Sequence, residues 1–484
     1  MSRVRGLVFG ICSALALCAA PPALATNLPG AEWTPLNDLP ASQVTLSNTN
    51  EIGLARSADG VLHVLWVNDR DNGTQALLHT PMTGTAPSTP GVIGAETTVL
   101  TANPNLNQVF NDNVDLLAIP GGIRALFART NPGGAADGTL STAVSATGAA
   151  WSAPDAVSAT APAQRHPVYA AGGVSGATGI TGTTYSTWGD SSPDGGGFHV
   201  GLSPAAPDQI GSPFTAGCCE IDPAIAVDTA SGEVMVAANK PDTAIRVRSL
   251  TSGKTYSVPK SAHAWTQQRT SISGRIGGSG IYVAWGTGDN MFNARPAIWR
   301  VGAPKFLFLK KQFDAAHVGM TPAPNGRLWV YWDRNGKIYA SRTNKTADHF
   351  GAIVKVPGAL NSETFFGLDG EGSLGQLDLF ALTETGGNLN WWAERIAPGL
   401  TVDCDSPVKQ GAKLKCKVLD AGDPVSGIEV YSHLGNKKAS DISNSQGKVK
   451  LKIPGDAPKG KHKAYTADDA DWSDGRATYK VIKG

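Results

Sequence analysis

Charge is scarce in this sequence. Asp, Glu, Lys and Arg make up 17% of 484 residues and leave a formal net charge of +1, so overall charge gives no reason to expect nucleic acid or an anionic surface as partner. Long apolar runs are as rare: apart from Gly6 to Ala20 near the N-terminus, no stretch is apolar enough to cross a membrane, and that one falls short of the roughly 20 residues a bilayer requires. Cysteine occurs six times and without the paired C-x-x-C spacing of a zinc site. No metal or other cofactor is therefore expected.

What is present begins with Arg3, Arg5, the apolar run, Pro21-Pro22 and a small-residue Ala23-Leu24-Ala25 site. Together they predict a secretory signal over 1–25, cleaved before Thr26, and a secreted or cell-surface product. An uncleaved anchor and acylation at Cys18 are the alternatives. Cys12 and Cys18 leave with the signal, and the remaining four cysteines form an even set that favours disulfides in an exported chain. Cys404 and Cys416, twelve apart on what read as neighbouring strands, are expected to pair. Cys218 and Cys219 then close a vicinal eight-membered ring or pair elsewhere.

Glycine, 57 residues, punctuates a repeat. A β-branched or aromatic strand starts just after Gly60, Gly122, Gly179, Gly232, Gly280, Gly326 and Gly375, at intervals of 46 to 62 residues. Each is preceded by a strand of small and apolar residues (EIGLARSA, NVDLLAIP, HPVYAAGG, EIDPAIAVD, RTSISGRI, VGMTPAPN, TFFGLDG) and followed by a third strand. Fourth strands follow in six of the repeats, at TTVLTA, WSAPDAVS, IGSPFTA, KTYSVPK, KFLFLKKQ and AIVKVPG. The clearest copy runs from His317 to Asn361, with tight turns at Asn325-Gly326 and Asn335-Gly336, where both residues take positive φ at little steric cost. A four-strand unit near 50 residues long is the signature of a β-propeller. The expected fold is all-β: a seven-bladed β-propeller over 26–398, with six blades as the alternative. The seventh repeat lacks a fourth strand, and the segment Ala31 to Leu39 is expected to supply it, so removing an open sheet edge.

After Pro398-Gly399 lysine becomes frequent, and short alternating strands (KLKCKVLD, GIEVYSHL, KVKLKI, KHKAYTADD) predict a small β-sandwich over 401–484.

The stretch Ser145 to Pro154, S-A-T-G-A-A-W-S-A-P, resembles a worn Asp-box turn of the sialidase-like, BNR-repeat propellers, with Gly and Trp kept and Asp lost. The pattern Gly280 to Trp285 and the Cys218-Cys219 pair opening an inner strand are similar to features of that superfamily. The resemblance covers Thr26 to Pro398 and implies glycan-related chemistry. It departs from true sialidases in lacking the Phe-Arg-Ile-Pro motif that supplies the first arginine of their triad, and in its count of repeats. The segments Gly422 to Val430 and Ser445 to Val449 resemble bacterial Ig-like modules of surface and secreted proteins, which implies a spacer or adhesive unit.

Propeller geometry gathers the loops entering each inner strand at one mouth. Those loops offer Glu51, Asp112, Arg165, His166, Cys218, Cys219, Glu220, Gln268, Arg269, His317 and Glu363, joined by Asp333, Arg334, Arg295 and others from the loops between second and third strands. As a glycosidase, the pair of carboxylates would come from Asp112, Glu220 and Glu51, with Arg165 and Arg269 clamping an acidic group. As a polysaccharide lyase, His166 or His317 would be the base. As a binding protein, Arg165, His166, Glu220, Arg269 and His317 would hold an extracellular glycan or another surface ligand, and this non-catalytic reading is the one favoured. A Cys218–Cys219 ring would hold Glu220 in place. Trp188 and Trp265 are the tryptophans expected to be exposed for stacking on sugars; the others are expected between sheets.

Overall fold

The structure, a computed structural model, describes residues 34–40, 52–69, 75–84, 92–102, 109–130, 137–156, 168–169, 174–190, 197–203, 206–209, 221–240, 244–259, 264–265, 270–288, 293–356, 364–385, 388–469 and 471–484. Among them the architecture is all-β, with no α-helix. In the clearest repeat, strands Ala316–Ala323, Arg327–Arg334, Lys337–Thr343 and Phe350–Lys355 pair antiparallel in sequence order. Its turns sit where the sequence places them: Asn325 and Gly326 have φ of 61° and 77°, Asn335 and Gly336 of 48° and 66°. That doubly positive φ twists the hairpins in the sense the strands require.

The same order recurs along the chain, from Gly53–Arg56 with Leu62–Asp69, Gln75–Thr83 and Thr97–Ala102 to Thr364–Glu371 with Leu377–Thr385 and Asn388–Ile396. Thr34–Pro40 pairs antiparallel with Asn388–Ile396, opposing Thr34 to Ala393 and Pro40 to Asn388. The N-terminal segment thus completes the last sheet, as expected.

Every sheet buries its side chains against the next. Leu65 and Leu77 pack with Leu116 and Phe127, Leu126 and Leu140 with Val174 and Trp188, and Val247 with Trp285 and Trp299. Val283's neighbour Ala284 packs with Val330 and Trp332, and Trp329 and Tyr331 with Leu379 and Ala381. The succession returns to its start, because Phe380, Leu382 and Trp391 pack on Leu62, Val64 and Trp66. Arg56 closes the same seam, its Nε 2.6 Å from Glu371 Oε2 and its Nη2 2.6 Å from Asp378 Oδ2. Four-stranded sheets standing side by side about an axis, inner strands at the centre, are β-propeller organisation.

Two strands lie elsewhere than the sequence suggested. The inner strand of the third repeat is Val174–Thr178, not HPVYAAGG; within that stretch Val168–Tyr169 bridges the strands Asp137–Ser145 and Thr184–Asp190, joining two repeats into one nine-stranded sheet. The physical reason is crowding at Gly176, where a Cβ would stand 2.5 Å from Leu126 Cδ1. The outer strand of that repeat is Ala206–Gln209 rather than IGSPFTA, which lies outside the described residues.

Beyond Pro398, two sheets face each other over one core of Val402, Leu414, Val418, Val430, Leu451 and Tyr479. Cys404 and Cys416 are directly opposed on neighbouring strands and form a disulfide. This unit is held to the sixth sheet through Asp420, buried to 1% exposure: its Oδ2 lies 2.6 Å from Arg342 Nη2 and 3.0 Å from Arg327 Nη1.

Candidate functional site

The inner strands enclose a cavity of about 280 Å³, to which every repeat contributes. Small residues let the strands approach the axis: a Cβ at Gly53 would lie 2.6 Å from Leu116 N, and one at Gly319 would lie 2.1 Å from the Tyr331 ring. Side chains stitch each inner strand to the next. Asp115 Oδ2 accepts from Gly176 N–H at 2.7 Å, Ser175 Oγ accepts from Ile225 N–H at 3.3 Å, and Ser271 Oγ accepts from Met320 N–H at 2.8 Å. Asp369 Oδ1 accepts from Tyr331 O–H at 3.0 Å and from Gly370 N–H at 2.7 Å. The lining is therefore rich in hydroxyl and carboxylate oxygens, with Tyr331 and Trp391 as aromatic members and, among the described residues, no Lys, Arg or His. Such oxygens suit a ligand rich in hydroxyl donors and disfavour an anion.

At the end where these strands begin, several are bulged. Between Val109 and Val114 the chain runs five residues while its partner runs two, and shorter irregularities occur at Ile221/Ala224, Ala316/Gly319 and Phe365/Gly367. A bulge bends its strand and re-aims side chains, and such features gather near active sites. Asp112 lies on the longest of them and His317 on another. His317 has φ of 40°, outside the usual range for a side chain with Cβ. It is buried, with Nδ1 3.0 Å from Asp333 Oδ1. Sequence reasoning selected both members of this pair but had no means of joining them.

Most of the other predicted site residues fall where no placement is described. Glu51, Arg165, His166, Cys218, Cys219, Glu220 and Arg269 lie outside the described residues, as do Gln268 and Glu363; for Asp112 only the backbone is described. Trp188, expected to be exposed, is instead fully buried between the second and third sheets. Its place on Thr184–Asp190 opposite Val174 explains this, since that face packs on Leu126 and Leu140. Trp265 is on a short strand and its side chain is not among those described. Among the described residues, no group of three or more His, Cys, Asp and Glu side chains is placed to hold a metal ion.

Two features escaped the sequence reading. His63 and His79 are diagonal neighbours on adjacent strands. His63 Nδ1 stands 2.9 Å from His79 Nε2, Ser57 Oγ lies 3.0 Å beyond His63, and Thr97 Oγ1 lies 3.0 Å beyond His79. Gly148, in the turn that resembles an Asp-box, accepts from Thr97 Oγ1 at 2.9 Å and from Trp151 Nε1 at 3.1 Å, so that turn caps the pair. Burial lowers both imidazoles, His79 to about 3, where the neighbouring His63 adds to the effect. The second feature is Glu394, buried with neither carboxylate oxygen hydrogen-bonded among the described residues; burial pushes it up to about 8.

No protein-family model and no curated protein matches this chain. Solved structures with some similarity include a lectin of Aleuria aurantia described as a six-bladed β-propeller with a fucose recognition mode, at 15% identity and a TM-score of 0.40, covering 66% of this chain and 99% of that one. A Trypanosoma rangeli sialidase in complex with the inhibitor DANA aligns at 9% identity and a TM-score of 0.39, covering 94% of this chain and 92% of that one. A prolyl endopeptidase aligns at 11% identity and a TM-score of 0.40, and this chain spans 56% of its length. At these scores the likenesses do not decide a function; the propeller organisation rests on the strand pairing and packing above.

Proposed function

We propose that this chain is an exported, seven-bladed propeller that recognises a hydroxyl-rich ligand, a carbohydrate, at its central cavity, and that it carries an Ig-like module at its C-terminus. The observation that carries this reading is the composition of the cavity, whose polar groups are acceptors and hydroxyls beside Tyr331 and Trp391. Sugars are recognised by such a mixture, carboxylates and hydroxyls taking the ligand's O–H groups while an aromatic ring meets its C–H face. The blade count is supported by the packing of each sheet on the next and of the last on the first. Export to the cell exterior is supported by the N-terminal signal pattern and by the Cys404–Cys416 disulfide.

A binding role fits this cavity better than catalysis. Asp115 is held by backbone N–H groups on both oxygens, and Glu371 by Arg56 and Ser373 N–H. Carboxylates tied in this way are fixed in place by donors on the protein itself, whereas a general acid must be free to pass its proton to the substrate. The glycan-active alternative rests on the mouth residues Asp112, Glu220, Glu51 and His166, with Arg165 and Arg269.

The test is a glycan array probed with the chain from Thr26 onward, followed by titration of the best neutral glycan and assay for its cleavage. Binding without turnover, weakened at least about tenfold by Asp369→Asn, is the expected result, on the scale of one lost hydrogen bond to a charged group. Turnover, or binding untouched by Asp369→Asn, would contradict it.

A further inference from the structure

We propose that the outer face of the C-terminal sheet formed by Thr401–Cys404, Lys413–Asp420 and Lys448–Lys452 binds a linear acidic polysaccharide, independently of the central cavity. Lys413 stands directly opposite Lys452, Lys415 opposite Lys450, and Lys417 opposite Lys448. Residues opposed in an antiparallel pair share a face, so six ammonium-bearing side chains form a two-by-three ladder. All six are exposed. The alternating positions Leu414, Cys416, Val449 and Leu451 point into the core, which fixes the lysine face outward.

Like charges placed directly across a ladder repel. Three successive Lys–Lys pairs therefore weaken the sheet they sit on, and ordinary surface design would alternate the signs. None of the six has an ion pair among the described residues. The lysines that do are Lys437, with Asp456, and Lys438, with Glu429, elsewhere in the same unit. The exposed carboxylates beside this array lie along one edge, Asp403 opposite Lys417 and Asp405, whose N–H bonds to Lys415 O at 2.9 Å, and at the other edge Asp441 accepts from Lys450 N–H. The near-neutral charge of the whole chain conceals this segregation: residues 401–484 hold fifteen Lys and Arg against eleven Asp and Glu.

Strand spacing of about 4.8 Å and a two-residue repeat of about 6.8 Å put the six charges in a strip some 14 Å long. The strip suits a polymer lying along the strands with an anion on each unit or every second unit. Lysine is a flexible point charge rather than a planar fork, so it fits distributed carboxylates or sulfates better than one bidentate group. Lys413–Asp420 and Lys448–Lys452 present no aromatic side chain on this face for stacking the bases of a single-stranded nucleic acid, and no exposed apolar one to enter a bilayer.

The experiment uses the full chain from Thr26 and measures affinity for polygalacturonate, with neutral dextran, duplex DNA and phosphatidylglycerol vesicles alongside. Binding to polygalacturonate should fall at least about tenfold between 50 and 200 mM salt, as counterion release dictates for several contacts. Lys415→Gln with Lys450→Gln should weaken it at least about tenfold more at fixed salt, reduce the salt slope, and leave the thermal midpoint equal or higher, because repulsion is removed. Equal binding by that double variant overturns the proposal, and so does tighter binding of DNA or of vesicles than of polygalacturonate. Should the double variant not fold, Lys450→Gln alone is measured, and the same loss of affinity and salt slope, smaller in size, is required of it.

Discussion

Arg56 and Glu371 are separated by 315 residues and joined by a 2.6 Å hydrogen-bonded ion pair. One lies on the first inner strand and the other on the last. The same guanidinium reaches Asp378, which is held in turn by Arg395 Nε at 2.6 Å. The seam where the chain meets its own beginning is thus fastened by two cations and two carboxylates, all nearly buried.

Removing one partner from such a cluster leaves uncompensated charge. Arg56→Ala should destabilise the chain by about 3–5 kcal/mol, seen as a lower urea midpoint. In a double-mutant cycle with Glu371→Gln, the two changes should cost less together than the sum of each alone. Strict additivity would show that the seam does not depend on this pair.

Glu394 and His79 set opposite pH dependences. The folded chain holds Glu394 at about 8 against 4.5 for the ordinary group, so the folded state binds the proton that the unfolded state releases. Its contribution is fully present below 4.5 and is lost as pH rises toward 8. Between pH 6.5 and 8, stability should fall by up to about 1.4 kcal/mol per pH unit, and Glu394→Gln should flatten that slope. Denaturant titrations at several pH values measure it; a slope equal in both proteins would refute the assignment.

His79, lowered to about 3 from 6.5, works in the other direction. Below pH 6.5 the unfolded chain takes up a proton that the folded chain refuses, so stability is lost as pH drops toward 3. His63 is lowered by the same burial and adds to the loss. Nuclear magnetic resonance of the imidazole nitrogens should find His79 neutral at pH 5; a midpoint near 6.5 would contradict the burial.

How much of this was readable beforehand differs by feature. Tight turns such as Asn325-Gly326 declare themselves because few residues tolerate their φ values, and the completing role of 34–40 follows from a repeat short of one strand. The third repeat misled because the apolar run HPVYAAGG is a stronger strand signal than VSGAT, yet close packing at the axis selects the small residues. A Gly-rich segment follows Trp188 and suggests exposure, while its burial is decided by the face of the strand it occupies. The pairing of His63 with His79 depends on register, and the isolation of Glu394 depends on which neighbours fail to reach it; neither is a property of local sequence.

Asp420 tests whether the C-terminal unit is rigidly seated. With Arg327 and Arg342 both directed at one carboxylate that is almost fully buried, Asp420→Ala should cost about 3–5 kcal/mol. It should also make the Asp420–Asp423 hairpin newly susceptible to proteolysis. An unchanged melting midpoint and cleavage pattern would mean that the contact carries no load.

The central claim is that the chain closes on itself through the pairing of Thr34–Pro40 with Asn388–Ile396. Amide hydrogen exchange measures this most directly, because strands in a shared ladder open together. Exchange of 34–40 as slow as that of 388–396, with deletion of 26–40 accelerating 388–396, is the predicted result. Exchange of 34–40 at the rate of a free peptide, beside a fully protected 388–396, would contradict it.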